Sequence, residues 1–381
     1  MANIDIAERQ KIIGQRIREG RDTYAGRLDA WHTLGNVTGK FSTWKEILAA
    51  AGQAFQVVKL QLSFMGEVED AYGIYRVDSV IPKGLEKRPV RQIQMPDGPT
   101  VYLNFLAQVG KSYQPIQHTE GFELLDHLVG EIDGAHYETM GTLEFGKLVW
   151  GQIDPNVSIR VGNDVSKSLV TFHTSHDGSK AFDIFQTGVR EVCRNTFRMG
   201  SLSRLGATLR VRHTKNAQTR IEGLKAGIAE IHKVAATMEE KLVYLSQRRT
   251  TKESLTTIMS RLFPMTKNDD GVEESSTRRD NILASVLARY EFNDGDVFPE
   301  QRGTLYNLFN SVVEYTDHER SSKENGRAES AVFGSGATLK ANALDLIIAE
   351  AEKAPLMRGA QQGVSVDFSE IGLNVPTTMK N

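Results

Sequence analysis

The chain has 381 residues, 46 Lys/Arg against 48 Asp/Glu and a formal charge of −2, which argues against a protein that coats duplex DNA over its whole surface. Its 40 % apolar and 25 % charged content are ordinary for a globular protein large enough for one big core or two modest ones. One cysteine, Cys193, excludes an internal disulfide framework and a cysteine-based zinc site, and no apolar run approaches the roughly 20 residues of a membrane helix.

Residues 1–30 read as a polar helical arm bearing five arginines, with no apolar core of a signal peptide. A helix follows near Trp44, capped by Ser42 or Thr43 and stopped by Gly52. From Gln56 to Gln108 the pattern is strand-like, broken by turn chemistry at GEVEDAYG, PKGLEKRP and PDGP. A helix over Glu120–Glu131 precedes a second strand block, Ala135–Gln186, in which Asp177-Gly178 marks a hairpin. Helical character is expected again from about Val189, then a short strand at Ala207–His213. The longest helix, Ala217–Gln247, follows with apolar positions Ile221, Leu224, Ile228, Ile231, Ala235, Met238, Leu242 and Leu245 in strict 3-4 alternation. That seam fits a helix laid on its own domain. It also fits an oligomer contact through Ile221, Leu224, Ile228, Ile231, Met238 and Leu242. Pro264–Asp280 reads as a loop or linker, and helices resume at Asn281–Tyr290, at Thr304–Asp317 and from Thr338 before a loose tail.

The expected fold is α+β: an antiparallel or mixed curved sheet packed by a long helix, with a helical C-terminal part. The expected layout is an arm over 1–30, a main domain over 31–263, a loop or linker over 264–280 and a helical part with a loose tail over 281–381.

Among chemical motifs, Gly110-Lys111-Ser112 lacks the glycine of a phosphate-binding loop five residues earlier, where Phe105 stands, so no ATP site is expected. Gly334-Ser335-Gly336 lacks a dinucleotide fingerprint's third glycine and reads as a turn. There is no Gly-x-Ser-x-Gly elbow. His173, His176 and Asp177 lie close in sequence, but on one strand the two histidines face opposite ways. No metal or cofactor is therefore expected, and an enzyme is unsupported.

The strongest signal is Gly188–Lys225, with nine Lys/Arg against two acids. Arg190, Arg194 and Arg198 are four apart, one ridge if helical, and Arg204 extends it. Arg210 and Arg212 share one face of a strand, followed by Lys215. A basic ridge and a basic strand face could line a groove for a phosphate backbone, with Phe197, Tyr102, Tyr113 or Phe172 as stacking surfaces.

The wording of the chain also carries a resemblance. Ala30-Trp31-His32-Thr33-Leu34-Gly35, Val109–Gln117, Glu138-Thr139-Met140-Gly141, Ser175-His176-Asp177-Gly178, Cys193-Arg194-Asn195-Thr196, Arg212-His213-Thr214, Glu314-Tyr315-Thr316-Asp317-His318 and Phe333-Gly334-Ser335-Gly336-Ala337 stand in order. Together they resemble the phage/plasmid-like protein family, a mobile-element family of unknown function, from Trp31 to Leu346. The layout is similar, more distantly, to phage single-strand annealing proteins. Those resemblances imply a non-catalytic, ATP-independent protein of a bacterial cytoplasm that binds and anneals single-stranded DNA, or RNA, as a homo-oligomer. The alternatives are a module that engages a host protein and a metal-dependent nuclease using His173, His176 and Asp177.

Overall fold

A computed structural model describes residues 23–25, 36–37, 43–50, 54–62, 71–81, 90–96, 98–190, 196–198, 209–215, 231–267, 271, 273–292, 298–320, 330 and 332–356. The class is α+β: the described residues form two main, largely antiparallel sheets, a two-stranded pair and seven helices, with a helical C-terminal part. The chain divides into two units: Met1–Val157 with Ser168–Gln186 and Leu202–His232, and Ser158–Lys167 with Thr187–Ser201 and Lys233–Asn381.

In the first unit, the alternating stretches after residue 55 form a four-stranded antiparallel sheet. Its strands are β3 (Gln56–Gln61), β4 (Tyr72–Asp78), β5 (Val90–Gln94) and β6 (Thr100–Val109), in the order β3-β4-β6-β5. One face buries Val57, Ile74 and Leu106. They share a core with α1 (Trp44–Ala50), α2 (His118–Glu131) and one face of a larger sheet, represented by Met140, Val149, Ile153, Val170, Phe172, Phe182 and Val211. Helix α2 starts with a reciprocal cap: the Gln117 backbone N–H donates to the Glu120 carboxylate and the Glu120 N–H is taken by Gln117. Its Phe122, Leu124, Leu125 and Leu128 supply the buried stripe.

The larger sheet has eight strands: β1 (Thr23–Ala25), β2 (Asn36–Val37), β7 (His136–Leu143), β8 (Leu148–Val161), β9 (Asp164–Ser175), β10 (Phe182–Arg190), β11 (Thr196–Arg198) and β12 (Leu209–Val211). Their order is β11-β10-β9-β8-β7-β1-β2, with β12 also paired to β10. Strand β1 runs parallel to β2, whereas β1–β7, β7–β8, β10–β11 and β10–β12 are antiparallel pairs. Strand β1 lies inside the arm expected to be helical; the rest of residues 1–30 falls outside the described residues.

In the second unit, α3 (Ile231–Ser246), α4 (Lys252–Leu262), α5 (Thr277–Phe292), α6 (Leu305–His318) and α7 (Ser335–Ala351) bury Leu242, Leu245, Ile258, Leu287, Leu308, Phe309, Val312 and Ile347. Within the stretch read as a loop or linker, β13 (Thr266–Lys267) pairs with β14 (Glu273–Glu274), and α5 begins at Thr277. Among the described residues no helix is long and apolar enough to cross a membrane.

Candidate nucleic-acid interface and buried polar sheet face

The expected arginine ridge is not helical at the two positions the structure describes, Arg190 and Arg198. Thr187, Gly188 and Val189 of β10 pair with Arg198, Phe197 and Thr196 of β11, so Arg190 and Arg198 stand on strands. Arg190 is 1 % exposed, and its Nε lies 2.5 Å from Asp164 Oδ2, which also accepts from the Tyr306 hydroxyl at 3.0 Å. Burial dominates the upward shift of the Asp164 carboxyl and the Arg190 charge opposes it. Arg190 is thus an internal ion-pair partner rather than a phosphate contact. Arg194 and Arg204 lie outside the described residues, as does the side chain of Arg198.

Arg210, Arg212 and Lys215 are exposed. Val211 between the two arginines enters the core, so strand alternation sends Arg210 and Arg212 to the opposite side of the larger sheet. Of the expected stacking rings, Phe172 is fully buried in the core. Tyr113 stacks on His213 with ring centroids 5.0 Å apart and its hydroxyl donates to the Ser175 carbonyl. Tyr102 is half-buried, and the Phe197 side chain is outside the described residues.

A different aromatic pair faces solvent. Val58, Tyr75 and Phe105 form one cross-strand row on the four-stranded sheet, on the face opposite Ile74 and Leu106. Tyr75 and Phe105 meet edge to face at 5.5 Å, and Phe105 is 45 % exposed. Tyr75 lies along its strand over Gly73: a Cβ at Gly73 would stand 2.6 Å from Tyr75 Cε2. The missing side chain is what lets the half-buried Tyr75 ring occupy the space over Gly73. Exposed Leu60 flanks the row in register with Gly73, and exposed Arg91 pairs with Leu103, two residues from Phe105. The sequence signal was available, since Tyr75 and Phe105 sit at outward positions of two strands expected from alternation.

The two histidines in the expected TFHTSHDG cluster part ways. His173 Nε2 is 3.9 Å from Asp183 Oδ2, whereas His176 packs against His118 with ring centroids at 5.5 Å. Asp177 closes the turn by accepting the Ser179 N–H at 2.9 Å. His176 is fully buried, and among the described residues neither of its ring nitrogens has a hydrogen-bond partner. Desolvation, with lesser contributions from His118 and His213, holds its pKa well below the ordinary histidine value. Gly110-Lys111-Ser112 forms a turn, in which the Lys111 carbonyl accepts from Lys59 Nζ.

The core-averted face of the larger sheet carries a run of buried polar groups that sequence reasoning missed. Thr139 donates to Gln152 Oε1 at 2.7 Å, and Gln152 Nε2 donates to Thr171 Oγ1 at 2.8 Å, linking β7, β8 and β9. His136, Glu138 and Asp154 lie at one end of this run and bring three donor atoms within 4.8 Å of one another. Asp183, buried on the same face, is in register with Arg210 of β12. Polar residues at every second strand position ordinarily signal a solvent face, and that reading hid them.

The seam of the expected long helix divides. Met238 and Leu242, together with Ala235 and Leu245, are buried within a single chain, so they form core instead of an oligomer contact. Ile221, Leu224 and Ile228 lie outside the described residues, as does the side chain of Ile231.

An α+β chain with a solvent-facing aromatic row and a buried polar sheet face is the class these features define. The chain belongs to the family of the domain of unknown function DUF932, whose model matches residues 105–333. None of the curated proteins matches it, and no solved structure does.

Proposed function

We propose that the chain binds single-stranded DNA, as an ATP-independent annealing protein of a phage or plasmid that works as a homo-oligomer. The observation that carries this reading is the Tyr75–Phe105 row. Unpaired bases offer flat apolar faces, and proteins hold them on aromatic rings exposed on sheets. A ring over a glycine on a central strand, with a second ring at its edge, suits that task better than it suits core packing. Arg91 on the same face and Arg210, Arg212 and Lys215 elsewhere on the first unit supply exposed cations for phosphates. The segment joining β4 to β5 adds Lys83, Lys87 and Arg88 in sequence.

Fluorescence anisotropy with a labelled oligothymidylate tests this. Tyr75→Ala and Phe105→Ala are expected each to weaken binding by about 5- to 150-fold, the equivalent of roughly 1–3 kcal/mol for one base–ring stack. Both changes are on an exposed face, so thermal unfolding should change little. Wild-type affinity in the double variant would overturn the reading, and tighter binding of the matching RNA would reassign its substrate.

A further inference from the structure

The buried polar face of the larger sheet has a feature that nucleic-acid binding does not use. His136 on β7 and Asp154 on β8 are direct cross-strand partners. The register then slips between Tyr137 and Thr139, leaving Glu138 as an inserted residue. Such a bulge re-aims a side chain, here to the side of its neighbours. On β8, Pro155 and the left-handed Asn156 (φ 59°) interrupt regular strand geometry just after Asp154.

The outcome is a compact donor set. His136 Nε2 is 3.4 Å from Glu138 Oε2 and 3.9 Å from Asp154 Oδ2. Ligand atoms around a tetrahedral ion with bonds of about 2.1 Å stand about 3.4 Å apart; the His136–Glu138 spacing matches that, and the three atoms, all within 4.8 Å of one another, need only small side-chain movements to close on one ion. Two contacts from outside the trio orient it. His136 Nδ1 is 3.1 Å from the Gly134 carbonyl, which can only accept, so that nitrogen carries the hydrogen. Nε2 is then the ring nitrogen directed at the two carboxylates, where a cation could be shared by all three groups. Asp154 Oδ1 accepts the Asn156 N–H at 2.8 Å, which leaves Oδ2 directed at His136. A ligating histidine held through its other nitrogen and a ligating carboxylate held by a backbone N–H are the usual outer supports of a protein metal site.

We infer that His136 Nε2, Glu138 and Asp154 form a three-ligand site for a divalent transition-metal ion. One nitrogen and two carboxylate donors suit Zn²⁺ or Mn²⁺ better than the all-oxygen preference of Mg²⁺ or Ca²⁺. Glu138 and Asp154 are 2 % and 6 % exposed, while the His136 side chain is 32 % exposed and gives solvent a route in. Three protein ligands leave a further coordination position for water or a ligand oxygen.

The test uses full-length, chelator-stripped protein without nucleic acid, so its outcome does not depend on the Tyr75–Phe105 reading. Calorimetric titration with ZnCl₂ and MnCl₂ should give one ion per chain, and pulsed EPR of the Mn²⁺ form should show ¹⁴N coupling from one imidazole. His136→Gln, at a partly exposed position, should fold, weaken metal binding about ten-fold or more and abolish that coupling. Asp154→Asn should weaken binding similarly. No saturable binding, binding unchanged in His136→Gln, or Mn²⁺ bound without nitrogen coupling would overturn the site. The trio would then be an imidazolium paired with two carboxylates.

Discussion

His213 shows how one buried side chain sets a property of the whole fold. Its Nδ1 accepts the Ile116 N–H at 3.3 Å, and its ring stacks on Tyr113 at an interplanar angle of 10°. Desolvation brings its pKa down to about 4, against the upward pull of backbone hydrogen bonds and of Asp177. The folded chain therefore keeps His213 neutral where the unfolded chain, titrating near 6.5, takes up a proton. Between these values protonation favours the unfolded state, so stability is full above about pH 6.5 and falls as pH drops toward 4. His213 alone accounts for a loss on the order of 3 kcal/mol, and buried His176 acts in the same direction. Asp78 and Asp164, whose carboxyls burial pushes upward, act in the opposite sense. The difference between wild type and His213→Gln, whose amide oxygen can still accept the Ile116 N–H, isolates the effect. Urea midpoints at pH 7.5 and 5.0 should fall less in the variant, and parallel losses in both proteins would contradict a neutral His213.

Helices α6 and α7 are joined by a fully buried ion pair, with Lys340 Nζ 2.5 Å from Asp317 Oδ1. Close approach near the start of α7 needs Gly336, where a Cβ would meet the Ser330 carbonyl oxygen at 2.7 Å and Thr316 Cγ2 at 3.0 Å. Asp317→Asn or Lys340→Met should each cost about 3–5 kcal/mol by stranding a buried charge, while Lys340→Met with Asp317→Leu should regain most of it. Chemical denaturation of the three variants checks this; additive losses would mean the pair is not the coupled unit. The EYTDH and FGSGA stretches thus lie at a helix–helix junction, with Asp317 in the first and Gly336 in the second. Elements with one clear period were legible in the sequence, among them β3 to β6 from alternation and turns, α2 from the helix expected over Glu120–Glu131 and α6 from that over Thr304–Asp317. Strand β10 was not legible to its end. It is buried on both faces from Phe182 to Arg190, so its pattern lacks a period of two, and the four-residue arginine spacing suggested a helix. The polar trio on β7 and β8 was hidden for a related reason: bulge and register, which bring Glu138 beside His136 and Asp154, arise only from strand pairing.

At the scale of the molecule, a net charge of −2 means that any attraction to a polyanion is local. The first unit offers two separate surfaces, because Arg210 and Arg212 leave the larger sheet on the side away from the core that Ile74 and Leu106 enter, whereas Tyr75 and Phe105 leave the small sheet on its own outer side. Phosphate and base contributions should therefore separate by salt. Each phosphate contact on a single strand releases counterions and contributes about −0.7 to the slope of log K against log salt, whereas stacking contributes almost nothing to it. Replacing Arg210 and Arg212 by Ala should thus make the slope shallower by about 1.4, the loss of two phosphate contacts. Replacing Tyr75 and Phe105 should lower affinity by nearly the same factor at every salt concentration and leave the slope alone. Duplex DNA hides its base faces, so it should compete through the phosphate contribution only and lose its effect as salt rises. A slope unchanged by the arginine substitutions, with affinity still dependent on the rings, would remove the β12 edge from the path of the strand and confine binding to the small sheet and Arg91.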